Sequence, residues 1–352
     1  MFLALKEIKH EKLRYSLVIG MVVLIAYLIV MLLGLMQGLG NENTAAVESW
    51  GTKQVMLDKN ANISMNQSLV TKDQAKNLTK HEALVGQVPI VMKGIKHGQK
   101  QSMQYFGLDR SQYLLKDKVK IVEGRKPHND HELILDESLK EKEYRLGQEV
   151  KLNSLTTHYK IVGFAKDAKF NIAPLAIGSL DTWRELKGTG QQFVASGIWA
   201  DQKVGSNRQK DLAHYDVQTF IKKLPGYTAQ NTTFEFMIGF LLLISLIVIA
   251  IFLYILTMQK EAQYAVLRAQ GIPAGFIVWS IIAQSIILMV TGVVIANLLA
   301  LGTSLAMPAA VPFMIMWPQT ILLDLALLIV GIAGSLLPVR MILKIDPVDA
   351  LQ

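Results

Sequence analysis

The chain has 352 residues, of which 51% are hydrophobic and 18% charged, and its mean hydropathy is +0.31. This composition excludes a purely soluble domain and indicates a membrane protein with a substantial polar domain. The absence of cysteine excludes disulfide bonds, and a formal net charge of +8 gives a mild preference for anionic surfaces or ligands.

Four apolar runs are each long enough to cross a bilayer as a helix. They are residues 16–37, 234–257, 276–302 and 319–339, and each approaches the roughly 20 residues that span a hydrocarbon core. The first run is longer than the apolar region of a signal peptide, and no small-x-small cleavage site follows it. We therefore expect the first run to remain as an anchor.

Lysine and arginine side chains predict the orientation of these spans. They lie in residues 1–15, 258–273 and 340–352, so we expect these three segments to be cytoplasmic. Residues 1–15 mix basic and apolar side chains, as an interfacial helix does. Residues 303–318 then form an outer connector and residues 38–233 an extracytoplasmic domain. The prediction is a multi-pass protein of the cytoplasmic membrane with both termini inside.

Residues 38–233 alternate strand-like and helix-like patterns, which predicts a mixed α/β domain. Helices are expected at 71–80, which starts with a capping box of Thr71 and Gln74, and at 181–186 and 216–223. Strands are expected at 53–59, 101–107, 133–135, 149–152 and 158–164. The predicted fold is therefore an α+β membrane protein with four transmembrane helices and a large mixed domain between the first and second.

Residues 258–273, MQKEAQYAVLRAQGIP, form a polar segment between two apolar spans. Helical spacing predicts a short amphipathic helix that Gly271 and Pro273 end, with an apolar face of Ala262, Ala265, Val266 and Ala269. Such a helix is suited to press on a cytoplasmic partner. A solvated connector remains the alternative.

The order of one span, a large domain and three further spans resembles the permease subunits of MacB/FtsX-type ABC transporters. The resemblance rests on VEGRKP, ELILDESL, LGQEVKL, YKIVGF, the segment MQKEAQYAVLRAQGIP and the C-terminal KIDPVDAL. Within that family, LALKEIKHEKLRYSL, GLMQGLGNEN and FLYILTMQKEAQYAVLRAQGI are similar to the haem-efflux permeases of Gram-positive bacteria, the HrtB group.

This resemblance implies a permease homodimer that works with two copies of a separate ABC ATPase and exports haem from the membrane. The chain has no G-x-x-x-x-G-K-[ST] motif, so ATP and Mg²⁺ would bind to the partner subunit. We expect no enzyme activity, bound cofactor, metal site or nucleic-acid partner in this chain. In residues 258–273, Glu261 and Arg268 are the expected polar contacts to the ATPase, and Tyr264 and Leu267 the expected apolar ones.

Haem as a transported substrate needs an apolar cleft and groups able to ligate iron. The spans contain neither His nor Cys, so the candidates are Met21, Tyr27, Met31 and Met36 in the first span, and Glu235 and Met237 in the second. In a dimer these two spans could meet at the two-fold axis and form an outer-leaflet cavity.

Two interpretations of Glu235 stay open. An ionisable group at membrane depth is functional by default. However, Thr232 and Glu235 also match a capping box, which would place the carboxylate at the start of the second span.

Other features have weaker functional interpretations. His128, His131 and Glu132 have the composition of a metal site, but a solvated loop is favoured. Asp324 is expected at the interface beside Gln319, and an Asp that faces the helix bundle is the alternative. Two alternative functions remain, namely export of antimicrobial peptides, drugs or other amphiphiles, and non-transporting mechanotransmission to an envelope partner.

Overall fold

The computed structural model describes residues 11–95, 100–205, 211–308 and 311–343. The chain divides into two compact units. A membrane unit comprises residues 1–38 and 230–352, and an inserted domain comprises residues 39–229. Most of the interfacial helix predicted at 1–15 and of the tail predicted at 340–352 lies outside the described residues.

The described helices, in chain order, are α1 (Lys12–Ser49), α2 (Leu180–Lys187), α3 (Val217–Lys222), α4 (Tyr227–Met258), α5 (Glu261–Ala269), α6 (Ala274–Ala306), α7 (Trp317–Gly334) and α8 (Leu336–Ile342). Within the described residues, four helical stretches are long and apolar enough to cross a membrane: α1, α4, α6, and α7 continued by α8. Helix α1 continues beyond the apolar run to Ser49, and α4 begins at Tyr227, before its own apolar run.

The strands are β1 (Gln54–Asp58), β2 (Val70–Thr71), β3 (Glu82–Gly94), β4 (Lys100–Leu108), β5 (Ile121–Gly124), β6 (Glu132–Asp136), β7 (Glu149–Leu152), β8 (Tyr159–Ala165), β9 (Lys169–Phe170), β10 (Ala173–Gly178), β11 (Phe193–Ala195), β12 (Gly197–Ala200) and β13 (Leu212–Asp216). The main sheet runs in the order β13, β1, β12, β3, β4, β10, β6, β8, β5. The pairs β10–β4 and β6–β8 are parallel, whereas β3–β4 and β1–β12 are antiparallel.

Strand pairing in the inserted domain closes on itself. The ring runs from β3 through β4, β10, β6 and β8, and β7 joins β8 back to β3. Apolar side chains at alternate positions of these strands form one buried cluster, including Ile90, Tyr105, Leu135, Val150 and Ile161. A strand turns successive side chains to opposite faces, so this alternation fills the space that the ring encloses.

A second core of the inserted domain is built around aromatic rings. Trp50, Phe106, Phe170, Trp199 and Phe220 are each at most 4% exposed, and their ring centroids lie 5.1–6.4 Å apart. Trp50 directly follows α1, and Phe220 belongs to α3. Buried aromatic rings at these distances contribute both apolar area and edge-to-face attraction.

The prediction of a helix at residues 71–80 is wrong, although the capping box predicted at its start does form. The Gln74 amide donates to Thr71 Oγ1 at 3.3 Å, and the Thr71 amide donates to Gln74 Oε1 at 2.9 Å. The segment then continues as turns, and Asn77 has a left-handed backbone with φ of 63°. A left-handed residue cannot propagate a right-handed helix, so local capping does not lead to a helix here.

The strands expected at 53–59, 101–107, 133–135, 149–152 and 158–164 all coincide with strands of the main sheet. Helices α2 and α3 correspond to the expected helices at 181–186 and 216–223. Asp216 caps α3, because its carboxylate accepts from the amides of Gln218 and Thr219. The fold class expected from the sequence is confirmed.

Candidate functional site

Helix α4 buries one face in the membrane unit and exposes the opposite face. Ile238, Ile249, Leu253 and Leu256 belong to the apolar cluster of this unit. The exposed face carries large apolar side chains, namely Phe236, Met237, Phe240, Leu243, Ile247 and Ile251. In a membrane this face is available to lipid, to cargo or to another chain.

A groove lies on the exposed side of α4 and has a volume of about 370 Å³. We call it the Glu235 groove, and its lining residues are Glu235, Phe236, Gly239, Phe240 and Leu243. Gly239 leaves open space where a Cβ would stand. The groove therefore combines one carboxylate with two aromatic rings on an otherwise apolar surface.

The capping interpretation of Glu235 is wrong. Helix α4 begins at Tyr227, so Thr232 and Glu235 both lie inside the helix rather than at its first turn. A capping residue has a non-helical backbone and satisfies amides that have no helical partner, which these positions cannot do. Glu235 instead exposes its side chain beside the two phenylalanines of the groove.

The candidates in α1 do not line this groove. Tyr27 and Met36 pack against the apolar cluster of the membrane unit, and the Tyr27 hydroxyl lies 3.0 Å from Thr303 Oγ1 of α6. Met21 and Met31 are half-buried. Met237 is 43% exposed on α4. Of the six residues predicted for a haem cavity, only Glu235 lines the groove of the single chain.

The connector before α7 packs closely on α1, a contact that the sequence did not indicate. The Met314 amide donates to the Gly34 carbonyl at 3.1 Å, and the Met316 amide donates to Gln37 Oε1 at 2.8 Å. A Cβ at Gly34 would lie 2.2 Å from the Phe313 ring. The glycine in GLMQGLG therefore permits this close approach.

Asp324 faces the helix bundle, which is the alternative to a position at the interface beside Gln319. Its Oδ2 accepts from Asn297 Nδ2 of α6 at 3.0 Å, and Asn297 also donates to the Val293 carbonyl at 3.0 Å. A carboxylate in an apolar span is costly unless it is paired, which explains why Asp324 turns toward α6.

Helix α5 occupies the middle of residues 258–273, as the amphipathic pattern predicts. Tyr264 is 2% exposed and packs with Ile277 and Ile281, and Leu267 is partly buried against the same cluster. Tyr264 is therefore a packing residue of its own chain, which corrects its expected role as a contact to a partner.

Most of the apolar face predicted for α5 is exposed. Ala265 is buried, whereas Ala262, Val266 and Ala269 are exposed and Glu261 is exposed at the start of the helix. Arg268 is half-buried. Three small or medium apolar side chains with an acidic neighbour thus form the accessible surface, which we call the α5 surface.

Glu132, a candidate metal ligand together with His128 and His131, forms an ion pair with Arg125. Its carboxylate accepts from Arg125 Nη1 and Nη2 at 2.7 and 2.6 Å, and from the His128 amide at 2.7 Å. Hydrogen bonds from Arg125 and then from the His128 amide lower the pKa of Glu132 to about 2, against the opposing effect of burial. Among the described residues, no group of three His, Asp or Glu side chains is placed to hold a metal ion.

Comparison with known proteins extends this description. Residues 235–347 match the family model described as FtsX-like permease C-terminal. A hemin transport system permease protein HrtB from Staphylococcus epidermidis is 26% identical over 355 residues, which cover 100% of this chain and 99% of the relative. The corresponding protein of Staphylococcus haemolyticus is 25% identical over 354 residues, with the same coverage.

A crystal structure of the periplasmic region of MacB from Actinobacillus actinomycetemcomitans is similar over 48% of this chain and 92% of that chain, with a TM-score of 0.36 and 12% identity. The described residues contain four helical stretches long enough to span a membrane, and the matched region includes most of α4 and all of α5 to α8, which agrees with a membrane permease. Residues 235–347 therefore carry an FtsX-like permease domain, as the resemblance to the MacB/FtsX-type permeases predicted.

Proposed function

We propose that this chain is the membrane subunit of an ABC pump that exports haem from the cytoplasmic membrane. The observation that carries the proposal is the similarity to hemin transport permeases from end to end of the chain. The absence of a phosphate-binding G-x-x-x-x-G-K-[ST] motif supports a separate ATPase subunit as the site of ATP hydrolysis.

The proposed pump is a homodimer with two ATPase subunits. Both termini and α5 face the cytoplasm, because the basic flanks lie at that end of the spans, and the inserted domain lies outside. The α5 surface is the proposed docking site for the ATPase, with Glu261, Leu267 and Arg268 at its margin. Nucleotide-driven movement of the ATPase would then reach the spans on both sides of α5.

The Glu235 groove is the proposed first contact for haem as it leaves the membrane. Phe236 and Phe240 offer aromatic rings to a flat apolar macrocycle, and Glu235 is an exposed carboxylate beside them that has no role in helix capping. Met21, Tyr27, Met31, Met36 and Met237 remain candidates for a wider cavity that a second copy would complete.

The test is a haem titration of the purified permease with its ATPase, followed by Soret absorbance. We expect Glu235→Gln to weaken haem binding by about ten-fold, equivalent to about 1.4 kcal/mol, because it removes the carboxylate proposed to ligate the haem iron. Leu298→Ala is the control, since Leu298 is an apolar residue of α6 that is 64% exposed and does not line the groove. Its affinity should stay at the wild-type value.

A triple substitution of Tyr27, Met31 and Glu235 tests the wider cavity. Saturable binding that disappears in this variant would support haem export through it, whereas binding that survives would move the site elsewhere. No saturable binding by the wild type would contradict haem as the cargo. It would favour another amphiphile or mechanotransmission to an envelope partner.

A further inference from the structure

Lys260 lies at the joint between α4 and α5 and is almost completely buried. The residue is 4% exposed, although lysine is rarely buried unless its charge is paired. Its amide donates to the Thr257 carbonyl at 3.0 Å, and its own carbonyl accepts from the Tyr264 amide at 2.9 Å. The backbone of Lys260 therefore belongs to the last turn of one helix and the first turn of the next.

The Lys260 side chain turns away from α5 toward the base of the first span. Its Nζ lies 3.7 Å from Glu11 Oε1, 3.4 Å from the Tyr15 hydroxyl and 5.6 Å from the centroid of the Tyr15 ring. Tyr15 is 1% exposed, and its hydroxyl donates to Gln284 Oε1 of α6 at 3.2 Å. One buried ammonium thus joins three parts of the membrane unit.

The charges of Lys260 and Glu11 connect the joint between α4 and α5 to the base of α1. Glu11 precedes α1, where the partial positive charge of a helix N-terminus favours a carboxylate, and its side chain is 25% exposed. Glu11 also accepts from Arg14 Nη1 at 3.3 Å, so its carboxylate lies between two cations at the base of the first span. The Lys260 side chain is the more deeply buried partner, 6% exposed, and disrupting a pair on its buried side is unfavourable. The joint and the base of α1 are therefore held together more tightly than apolar packing alone would require.

We propose that Lys260, Glu11, Tyr15 and Gln284 form a latch that carries movement of α5 directly into the first span. This latch rests on the proposed function, because α5 moves only if an ATPase docks on its exposed surface. Without the latch, movement of α5 would be transmitted along the chain only to α4 and α6. With it, the first span responds to the same nucleotide-driven step.

The experiment measures movement of the first span without using haem. The chain has no natural cysteine, so Leu17→Cys, at a position 61% exposed on α1, accepts a single environment-sensitive fluorophore. The labelled permease is assembled with its ATPase in nanodiscs, and the fluorescence change between ADP and ATP with Mg²⁺ is recorded. We expect Lys260→Met and Glu11→Gln each to reduce this change about five-fold or more.

Three further variants control for charge and folding. Lys12→Met removes an exposed positive charge from the same end of α1 and should keep the wild-type response. Lys260→Glu alone places two carboxylates together and should abolish the response, whereas Lys260→Glu with Glu11→Lys should restore most of it. Because the double variant keeps both charges, it tests the pairing even if Lys260→Met folds poorly.

A wild-type response in both Lys260→Met and Glu11→Gln would overturn the proposal, as would a wild-type complex whose label does not respond to nucleotide. Failure of haem binding with a latch-dependent fluorescence response would contradict the cargo assignment and leave the latch supported.

Discussion

Glu132→Gln tests how much the ion pair between Arg125 and Glu132 stabilises the inserted domain. The pKa of Glu132 falls from its ordinary 4.5 to about 2, and each pKa unit corresponds to about 1.36 kcal/mol. The side chain of Glu132 is 10% exposed, but that of Arg125 is 46% exposed, so solvent screens part of the interaction. We therefore expect a loss of about 2 kcal/mol rather than the full shift.

The assay is urea and thermal unfolding of the whole permease, followed by fluorescence of the buried tryptophans of the inserted domain. A loss of about 2 kcal/mol corresponds to a fall in Tm of roughly 4–8 °C for a domain of this size. Glu123→Gln is the matched control, since Glu123 pairs with Lys140 at 3.1 Å but its side chain is 52% exposed. The control should lose less than about 0.5 kcal/mol.

The pH dependence follows from the sign of the shift. A carboxyl whose pKa is lowered by folding stabilises the folded state fully above its unfolded pKa of 4.5, and this contribution is lost as the pH falls toward 2. The stability difference between wild type and Glu132→Gln should therefore be constant above about pH 5.5 and shrink below pH 4.5. A Glu132→Gln protein as stable as the wild type at pH 7, or a difference that grows on acidification, would refute this reasoning.

Three other substitutions test particular contacts of the membrane unit. Gly38→Ala would place a Cβ 2.0 Å from the Pro312 carbonyl, so we expect a loss of about 1–3 kcal/mol in thermal unfolding and faster proteolysis of the connector. Tyr27→Phe should cost about 0.6 kcal/mol by removing the contact to Thr303; a fall in haem affinity as large as that of Glu235→Gln would show that the hydroxyl binds haem instead. Val266→Glu adds a charge to the α5 surface and should lower co-purification of the ATPase about ten-fold without changing the permease Tm; undiminished co-purification would place the docking site elsewhere.

Much of the fold could be predicted from local patterns of apolar and polar residues in the sequence. The apolar runs correspond to the spanning helices, and the alternation in residues 149–152 and 158–164 corresponds to β7 and β8. These signals are strong because a span needs a continuous apolar run and a half-buried strand needs a period of two. The FtsX-like domain at residues 235–347 could also be predicted, since its motifs are contiguous in the sequence.

The predictions that were wrong failed for reasons that lie outside the local sequence. Residues 71–80 contain a good capping box, but Asn77 turns the chain left-handed before a helix can grow. Glu235 also matches a capping box, but α4 begins at Tyr227 and encloses it. Tyr264 belongs to an amphipathic pattern whose inward face could be assigned only when Ile277 and Ile281 were seen to cover it.

The sequence by itself determined the number of spans and the position of the inserted domain, because each depends on runs of neighbouring residues. Only the tertiary structure decided which helix faces are exposed and which distant groups meet. The pairing of Lys260 with Glu11, the approach of the connector to Gly34, and the turn of Asp324 toward Asn297 all join residues far apart in the chain. Such contacts depend on burying charges and closing packed surfaces between helices, and no local spacing specifies the partner.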